Sequence, residues 1–281
     1  MALLNFWREP ETTNVHILPD KITPPCDLSA HISRERLLST LGESLRSCAA
    51  TVLSGRSGTG KTVLASDFAR VAGRPTAWYK VDAPESALAV FFQYLCASVR
   101  TQRPGFGEQT LARLGESVGL EDVPLLVEYF VYELLEREEP LLIVIDDLHL
   151  VYDAEWVVPF FRRLLPLLPR EVHMLLIGRS LPPSPLWRMR SKQTLYVVDE
   201  PALAFTFRET ERLFAACGLS SEQAFLAWEQ TRGRAVLVEG HARVLVALEE
   251  SRKADAPEAS HPARQLRLVK GYAPKSSLGT A

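Results

Sequence analysis

The sequence predicts an α/β fold, namely a three-layer sandwich around a mainly parallel five-stranded sheet, followed by a small helical subdomain. Short apolar runs alternate with stretches of helical periodicity up to about residue 200, which is typical of a parallel sheet covered by helices on both faces. The runs are rich in branched and aromatic residues and lack strict alternation, as expected of strands buried on both sides. After residue 201 only helical patterns remain.

Five strands are predicted, with helices between them. The strands are "ATVLSG" (50–55), "TAWYKVD" (76–82), "LLIVID" (141–146), "HMLLIG" (173–178) and "LYVVD" (195–199). Apolar residues at helical spacing over 88–99 and 123–135 predict two of the helices. Asp122 is expected to cap the second of these, with Pro124 in its first turn.

Three further helices are predicted after the last strand. "TFRE" (Thr206 to Glu209) fits a capping box, and Gly218 is a suitable residue to end the helix that follows. "SSEQAFLAWEQTRG" and "AVLVEGHARVLVALEE" are the second and third helices. We therefore divide the chain into an entry segment (1–35), a main domain (36–200), a helical lid subdomain (201–250) and a tail (251–281).

The composition of the tail and of the whole chain limits the range of functions. The tail carries six Lys and Arg against two Asp and Glu, and its composition predicts disorder, with a basic nucleic-acid-binding arm as the alternative. The whole chain has 281 residues, 47% of them hydrophobic, and a net charge of −2, so no global preference for nucleic acid or anionic membrane is expected. No apolar run approaches the ~20 residues of a membrane span. We expect a cytoplasmic protein.

The segment "GRSGTGKT", Gly55 to Thr62, matches the phosphate-binding pattern GxxxxGK[ST]. It directly follows a predicted strand and opens a predicted helix, which a glycine-rich turn alone does not account for. In this pattern backbone N–H groups surround phosphate oxygens, the Lys61 ammonium reaches the β- and γ-phosphates, and the Thr62 hydroxyl ligates Mg²⁺. The residues predicted to bind the nucleotide are Gly55, Arg56, Ser57, Gly58, Thr59, Gly60, Lys61 and Thr62. The sandwich is therefore expected to be a P-loop NTPase domain.

A second candidate element is the aspartate pair of "LLIVIDDLH". A carboxylate at the end of a buried strand suits Mg²⁺, and Asp146 is the predicted ligand. Asp147 is the candidate to polarise the attacking water, although many hydrolysing P-loop proteins have the longer Glu there. The alternative for the pair is a helix cap. His149 is either a hydrogen-bonding neighbour of the site or a simple loop histidine.

Three arginines are further candidates. Arg179 follows the fourth strand, on the sheet edge where open α/β folds bind ligands. It is predicted to sense the γ-phosphate or to stabilise transferred charge, with a solvated loop arginine as the alternative. Arg34 and Arg56 are additional candidates for contact with the nucleotide.

Together these residues resemble the signal-transduction ATPases with numerous domains (STAND), in particular the ATPase module of the MalT-like transcriptional regulators of the LuxR family. The resemblance spans about residues 17–248. It includes the entry stretch "LPDKITPPCDLSAHISRERLLSTL", the phosphate loop, "DDLH", and the passage from "RSLPPSPLWRMRSK" to "FTFRETERLF". "TRGRAVLVEGHARVL" stands where the family has a Gly-Trp segment.

The resemblance implies that residues 55–62 bind ATP, that Asp146 and Asp147 serve Mg²⁺ and the catalytic water, and that Arg179 is the sensor. It also implies that "ITPP" (22–25) and Arg34 lie near the adenine. Two departures stand out. Gly178 replaces the small hydroxyl residue that usually precedes the sensor arginine, and the sequence ends after the lid helices. We therefore see no place in this chain for inducer recognition or direct DNA binding, and expect a protein partner or self-assembly.

Three functional hypotheses follow from these motifs. The first is an ATP-dependent regulatory switch that binds ATP and ADP, hydrolyses ATP slowly and acts in transcriptional regulation. The second is an ATPase of the AAA+ type that loads or remodels a nucleic-acid or protein complex, with an arginine supplied by a neighbouring copy. The third is a module that holds nucleotide without cleaving it.

Overall fold

The computed structural model describes residues 16–25, 32–115, 119–192 and 194–255. Its strands are β1 (Ala50–Ser54), β2 (Thr76–Lys80), β3 (Leu141–Asp146), β4 (Val172–Gly178) and β5 (Leu195–Val198). Helices α1 to α6 are Glu35–Ser47, Lys61–Val71, Leu88–Arg100, Glu108–Leu114, Val123–Leu135 and Val157–Leu167. Helices α7 to α11 are Ser184–Trp187, Glu200–Leu203, Phe207–Ala216, Ser221–Thr231 and Ala235–Asp255. Short 3₁₀ helices include Ala83–Ser86 and Leu148–Val151.

The five strands form one sheet in the order β2-β3-β4-β1-β5, and all neighbouring strands are parallel. The predicted fold class and all five predicted strands are confirmed. Strand β4 lies between β1 and β3, with Ser54 opposite Gly178 at the carboxyl end of the β1–β4 pair. Because the strands are parallel, the ends of β1, β3 and β4 meet at one edge of the sheet.

Helices cover both faces of the sheet, as the apolar strand sequences require. On one face Phe91 and Phe92 of α3, Phe130 of α5 and Phe160 of α6 form the centre of a large core. On the other face the core is built from α1, α2 and α8, which supply Leu37, Leu64, Phe68 and Leu203 among others. Each fully buried side chain of this size contributes roughly 1.5–3 kcal/mol, so the sheet edge is held by a rigid scaffold.

The helices after residue 205 form a third core around Phe214. The predicted capping box is present at α9, where Thr206 and Glu209 exchange hydrogen bonds with each other's backbone N–H. Gly233, before α11, has φ +72°, and a Cβ there would stand 2.2 Å from Phe205 O. Only glycine fits this close approach, which brings the start of α11 back to the main domain.

Two predictions about element ends differ from the structure. Asp122 occupies the N-cap position of α5, but its carboxylate accepts a hydrogen bond from Gly119 N at 3.1 Å instead of capping the helix. Helix α11 continues to Asp255, into the segment expected to be a disordered tail from Ser251. Arg and Ala in this stretch favour helix, which explains the extension. The rest of the tail, 256–281, lies outside the described residues.

No helix in the described ranges is long and apolar enough to cross a membrane.

Candidate functional site

The phosphate loop connects β1 to α2 and depends on glycine geometry. Gly58 and Gly60 have φ values of +79° and +81°, a left-handed backbone that glycine adopts without strain. Gly60 occupies the N-cap position of α2, and Lys61 is the first helical residue. The loop therefore leads into a helix N-terminus, whose N–H groups and dipole favour an anion.

Lys61 folds back into the loop. Its Nζ donates hydrogen bonds to Gly55 O at 2.5 Å, to Arg56 O at 3.0 Å and to Thr59 Oγ1 at 3.3 Å. The residue is 8% exposed. Burial lowers the pKa of Lys61, while the negative charge of the nearby Asp146 opposes that shift. A phosphate group at the loop would compensate this desolvated cation.

Thr62 and Asp146 meet across the site as the loop motif and the aspartate motif predict. The Thr62 hydroxyl donates to Asp146 Oδ2 at 3.0 Å, and Asp147 N donates to Asp146 Oδ1 at 2.9 Å. Asp146 is 2% exposed. Burial, and then the charge of Asp147, raise the pKa of Asp146 to about 6. The carboxylate is therefore a desolvated anion that a cation would stabilise.

This pair of oxygen donors fits Mg²⁺, which prefers one or two carboxylates together with substrate phosphates. Within the described ranges no group of three or more His, Cys, Asp or Glu side chains could hold a metal by itself. Thr62 and Asp146 would hold the ion, and the nucleotide would have to supply further ligands. Bound there, Mg²⁺ would neutralise phosphate charge.

Asp147 and His149 lie beside this pair. Asp147 has φ +55°, a left-handed conformation that is uncommon for a non-glycine residue. It begins the 3₁₀ turn Leu148–Val151, and its carboxylate oxygen Oδ1 is 3.8 Å from His149 Nδ1. Burial lowers the pKa of His149, and Asp147 opposes that shift. The Asp147 side chain is 30% exposed, so it is more accessible to solvent than Asp146.

Arg179 is exposed at the end of β4, next to the loop. Burial is the main cause that lowers the pKa values of Lys61 and His149, and the positive charge of Arg179 lowers both further. Arg179 therefore lies close to both side chains, at the same edge of the sheet. Gly178, which stands where the resembling family usually has a small hydroxyl residue, is tightly packed. A Cβ at this position would be 2.9 Å from Tyr152 Oη.

Arg56 and Ser57, both exposed, contact residues that sequence reasoning missed. Arg56 forms an ion pair with Glu200, whose carboxylate accepts from Arg56 N at 2.9 Å and from Nε at 2.8 Å. Arg234 donates to Ser57 O at 2.7 Å. The motif gives no signal for these partners, because both lie more than 140 positions away in the sequence.

Helix α11 also packs on the loop through Val236. Its N–H donates to Gly58 O at 3.0 Å. A Cβ at Gly58 would stand 2.5 Å from Val236 Cγ1. The C-terminal helices thus contact the phosphate loop directly. A movement of the loop would therefore change the position of the start of α11.

Arg34 is buried between the main domain and the C-terminal helices. Its Nη2 donates to Leu203 O at 2.8 Å and to Ala204 O at 3.0 Å, and the guanidinium lies 4.3 Å from the centre of the Phe205 ring. Glu209 Oε2 is 3.5 Å from Nη2. Burial lowers the pKa of Arg34, and Glu209 opposes that shift.

The "ITPP" stretch does not lie with Arg34. Ile22 packs against the core on the α3 face of the sheet, whereas Ile32 packs against the C-terminal helices. Nearby, Lys21 forms ion pairs with Asp82 and Glu85, just beyond β2. The structure therefore separates two features that the resemblance places together.

A cavity of about 460 Å³ opens beside the loop. Its lining includes Thr59 of the loop, Leu203 and Ala204 after β5, and Ala235 and Leu237 of α11. The volume lies in the range of roughly 300–1,000 Å³ that is typical of ligand pockets. Arg34 donates hydrogen bonds to the backbone carbonyls of Leu203 and Ala204 and so holds this part of the cavity wall in place.

The chain has detectable similarity to several solved structures. The chain is similar to a Walker-type ATPase of Pyrococcus abyssi (15% identity, TM-score 0.45, 82% of this chain and 79% of the other). It is similar to the ORC1 protein of Aeropyrum pernix in complex with DNA (17%, 0.45, 84% and 63%). It is also similar to a RuvB variant of Thermotoga maritima (16%, 0.43, 82% and 67%).

A family model described as an AAA ATPase domain matches residues 32–177. This span covers half of the chain and includes the phosphate loop and the aspartate pair. The chain belongs to the AAA ATPase domain family.

Proposed function

We propose that this chain binds ATP with Mg²⁺ at the carboxyl edge of the sheet, hydrolyses it slowly and works as a nucleotide-dependent switch. The observation that carries the proposal is the hydrogen bond between Thr62 and Asp146. It joins the two motifs that hold phosphate and metal in ATPases of this type. Next to Thr62, the buried Lys61 points its ammonium at the phosphate loop, where it bonds Gly55 O and Arg56 O.

Each residue has a distinct role in the proposed reaction. The loop N–H groups and Lys61 bind the β- and γ-phosphates, and Thr62 with Asp146 holds Mg²⁺. Asp147 orients the attacking water and accepts its proton as the water oxygen bonds to the γ-phosphorus and the bond to the β-phosphate oxygen breaks. Arg179 stabilises the charge that develops on the transferred group.

The cavity beside Thr59 is the proposed site of the nucleoside, with Leu203 and Ala235 as apolar walls. We assign the helices after residue 200 the role of a lid, with the main domain at 36–200 and the lid at 201–250. Contacts of Arg234 and Val236 with the loop support this role. A switch of this kind works when ATP and ADP bind two conformations with different affinity.

Lys61→Ala tests the binding site. We expect loss of Mg²⁺-dependent ATP binding, measured by calorimetry, because the buried ammonium that meets the phosphates is gone. The matched control is Arg70→Ala, which removes an exposed cation from the same helix and should leave the affinity unchanged. If Lys61→Ala binds ATP as tightly as the wild type, the site is assigned wrongly.

Turnover of ATP tests the hydrolysis step. Asp147→Asn should bind ATP but release phosphate at least tenfold more slowly than the wild type, since general-base catalysis contributes roughly 10²–10⁴-fold. Equal turnover would remove Asp147 from the mechanism. If the wild type keeps ATP intact through long incubation with Mg²⁺, the chain is a nucleotide-binding module without hydrolysis.

The finer proposal is a STAND-type module in transcriptional regulation that acts through a protein partner or self-assembly, and the colinear motifs of the sequence support it. The AAA ATPase family match supports a second candidate, an ATPase that remodels or loads a nucleic-acid or protein complex. That function requires an arginine from a neighbouring copy. Turnover per chain that rises with protein concentration, with the oligomeric state followed in parallel, would favour the second candidate.

A further inference from the structure

Tyr152 carries a hydroxyl group whose surroundings are unusual. The residue follows the turn Leu148–Val151, directly after the aspartate pair. Its Oη is shielded from solvent and has no hydrogen-bond partner within the described residues. A buried hydroxyl without a partner costs free energy, so an unpaired one close to a binding site points to a partner that is not part of this chain's own fold.

The position of this hydroxyl is defined by Gly178. The Cβ of any other residue at 178 would be 2.9 Å from Tyr152 Oη and 3.5 Å from its Cζ. Gly178 ends β4, which lies between the strand that leads into the phosphate loop and the strand that ends at Asp146. Gly178 O also accepts a hydrogen bond from Gly55 N at 3.3 Å. Tyr152 Oη therefore lies at the strand end between the two proposed halves of the site.

The chemistry of the hydroxyl fits an anion there. Burial raises the pKa of Tyr152, so the group stays protonated and is a hydrogen-bond donor at any pH the protein would meet. Arg179 follows Gly178 directly. Lys61 is close enough to Arg179 for the arginine's charge to lower the pKa of Lys61, after the larger effect of burial. A donor next to two cations favours a negatively charged acceptor.

We propose that Tyr152 Oη donates a hydrogen bond to the γ-phosphate of bound ATP, and that Gly178 is glycine because this hydroxyl takes the space of a side chain. The γ-phosphate is the group concerned because in the proposed reaction it lies next to Asp147, at the ends of β3 and β4 where Tyr152 Oη also lies. This inference rests on the proposed function. It adds a contact that ADP lacks, and so gives the site a preference for ATP.

Tyr152→Phe tests the contact, since it removes one oxygen atom and keeps the ring. We expect ATP affinity in the presence of Mg²⁺ to fall about tenfold or more, the usual effect of losing a hydrogen bond to a charged group. ADP affinity should stay within about twofold by the same reasoning. The matched control is Tyr132→Phe, an exposed tyrosine of α5, which should change neither affinity.

A rescue variant separates this contact from a structural role. In Tyr152→Phe the oxygen near position 178 is gone, so Gly178→Ser can place a hydroxyl at the same strand end from β4. The double variant should recover most of the preference for ATP over ADP. Gly178→Ser alone should lower the melting temperature, because its Cβ meets Tyr152 Oη.

The outcomes distinguish the inference from the proposed function. If the wild type binds neither ATP nor ADP, the proposed function fails, and the inference fails with it. If the wild type binds both and Tyr152→Phe keeps the wild-type ratio of the two affinities, the proposed function stands and the inference is wrong. A fall in both affinities that Gly178→Ser does not reverse would also overturn the inference, because it indicates a structural role.

Discussion

The Thr62 hydroxyl donates a hydrogen bond of 3.0 Å to Asp146 Oδ2, across 84 positions of sequence. It joins the first turn of α2 to the end of β3, although β4 lies between β3 and β1, the strand that leads into α2. The contact holds a carboxylate in a buried position, where burial and Asp147 raise its pKa to about 6. The site is therefore arranged for a cation at a cost to the stability of the protein without one.

Asp146→Asn should raise stability while it abolishes the response to metal. The folded-state pKa of about 6 lies above the ordinary aspartate value of 3.8, so ionisation at neutral pH destabilises the fold, by up to about 3 kcal/mol. In EDTA at pH 7.5 the melting temperature of Asp146→Asn should exceed that of the wild type by a few degrees. Added Mg²⁺ and ATP should stabilise only the wild type.

The sign of the pH dependence checks the cause. The folded wild type holds the Asp146 proton more tightly than the unfolded chain, so its stability falls as pH rises from about 4 to above 6. The advantage of Asp146→Asn should therefore shrink at pH 4.5. Asp153→Asn, an exposed aspartate of the same loop, is the matched control. An Asp146→Asn variant that is less stable than the wild type at pH 7.5 would contradict the prediction.

The fold could be predicted from the sequence because its signals are local. Each strand is a short apolar run such as Leu141–Asp146. The three central strands, β1, β3 and β4, are buried along their whole length by helices whose apolar spacing is equally visible. The phosphate loop is predictable for the same reason. Its glycines, Lys61 and Thr62 stand within eight positions, and the backbone geometry of Gly58 and Gly60 follows from their residue type.

The remaining contacts of the site depend on which strands become neighbours. Tyr152 reaches Gly178 only because β4 lies beside β3, and Val236 reaches Gly58 only because α11 turns back at Gly233. No local sequence pattern predicts these contacts. The resemblance also places "ITPP" with Arg34, but no local pattern decides which face of the sheet a segment packs on, and Ile22 packs on the α3 face.

Arg34→Met should destabilise the attachment of the C-terminal helices. Arg34 bonds two backbone carbonyls near the end of α8 and pairs with Glu209, and both side chains are at least 90% buried. Arg34→Met leaves two carbonyls without this donor and leaves Glu209 with the partly exposed Arg36 as its remaining cationic partner. Because breaking a buried ion pair completely costs roughly 3–5 kcal/mol, we expect a loss near the lower end of that range. Urea unfolding measures the loss.

The matched control for Arg34 is its neighbour Arg36. Its guanidinium is also 3.5 Å from Glu209 Oε2, but its side chain is 43% exposed. Arg36→Met should therefore cost about 1 kcal/mol or less. A double-mutant cycle with Glu209→Gln should give a coupling energy for Arg34 that clearly exceeds that for Arg36. Equal coupling energies would mean that burial of the Arg34 pair is not what matters.

His173 should make the protein sensitive to acid. Its ring is buried at the start of β4, where Nδ1 donates to Cys48 O at 3.0 Å and Nε2 lies 2.9 Å from Thr51 Oγ1. Burial lowers the pKa of His173 to about 4, against the ordinary histidine value of 6.5. Between these values the unfolded chain takes up a proton and the folded chain does not, so stability is lost as pH falls from about 6.5 to 4. The full loss is about 3 kcal/mol.

The measurement for His173 is the melting temperature between pH 7 and 4.5. The wild type should lose about 2–4 °C for each kcal/mol, and His173→Gln should show a flatter dependence from a lower starting value, because it cannot titrate but packs less well. His241→Gln removes an exposed histidine of α11 and should keep the wild-type slope. If His173→Gln and the wild type lose stability in parallel, other groups dominate the acid response, and a neutral, buried His173 contributes little to it.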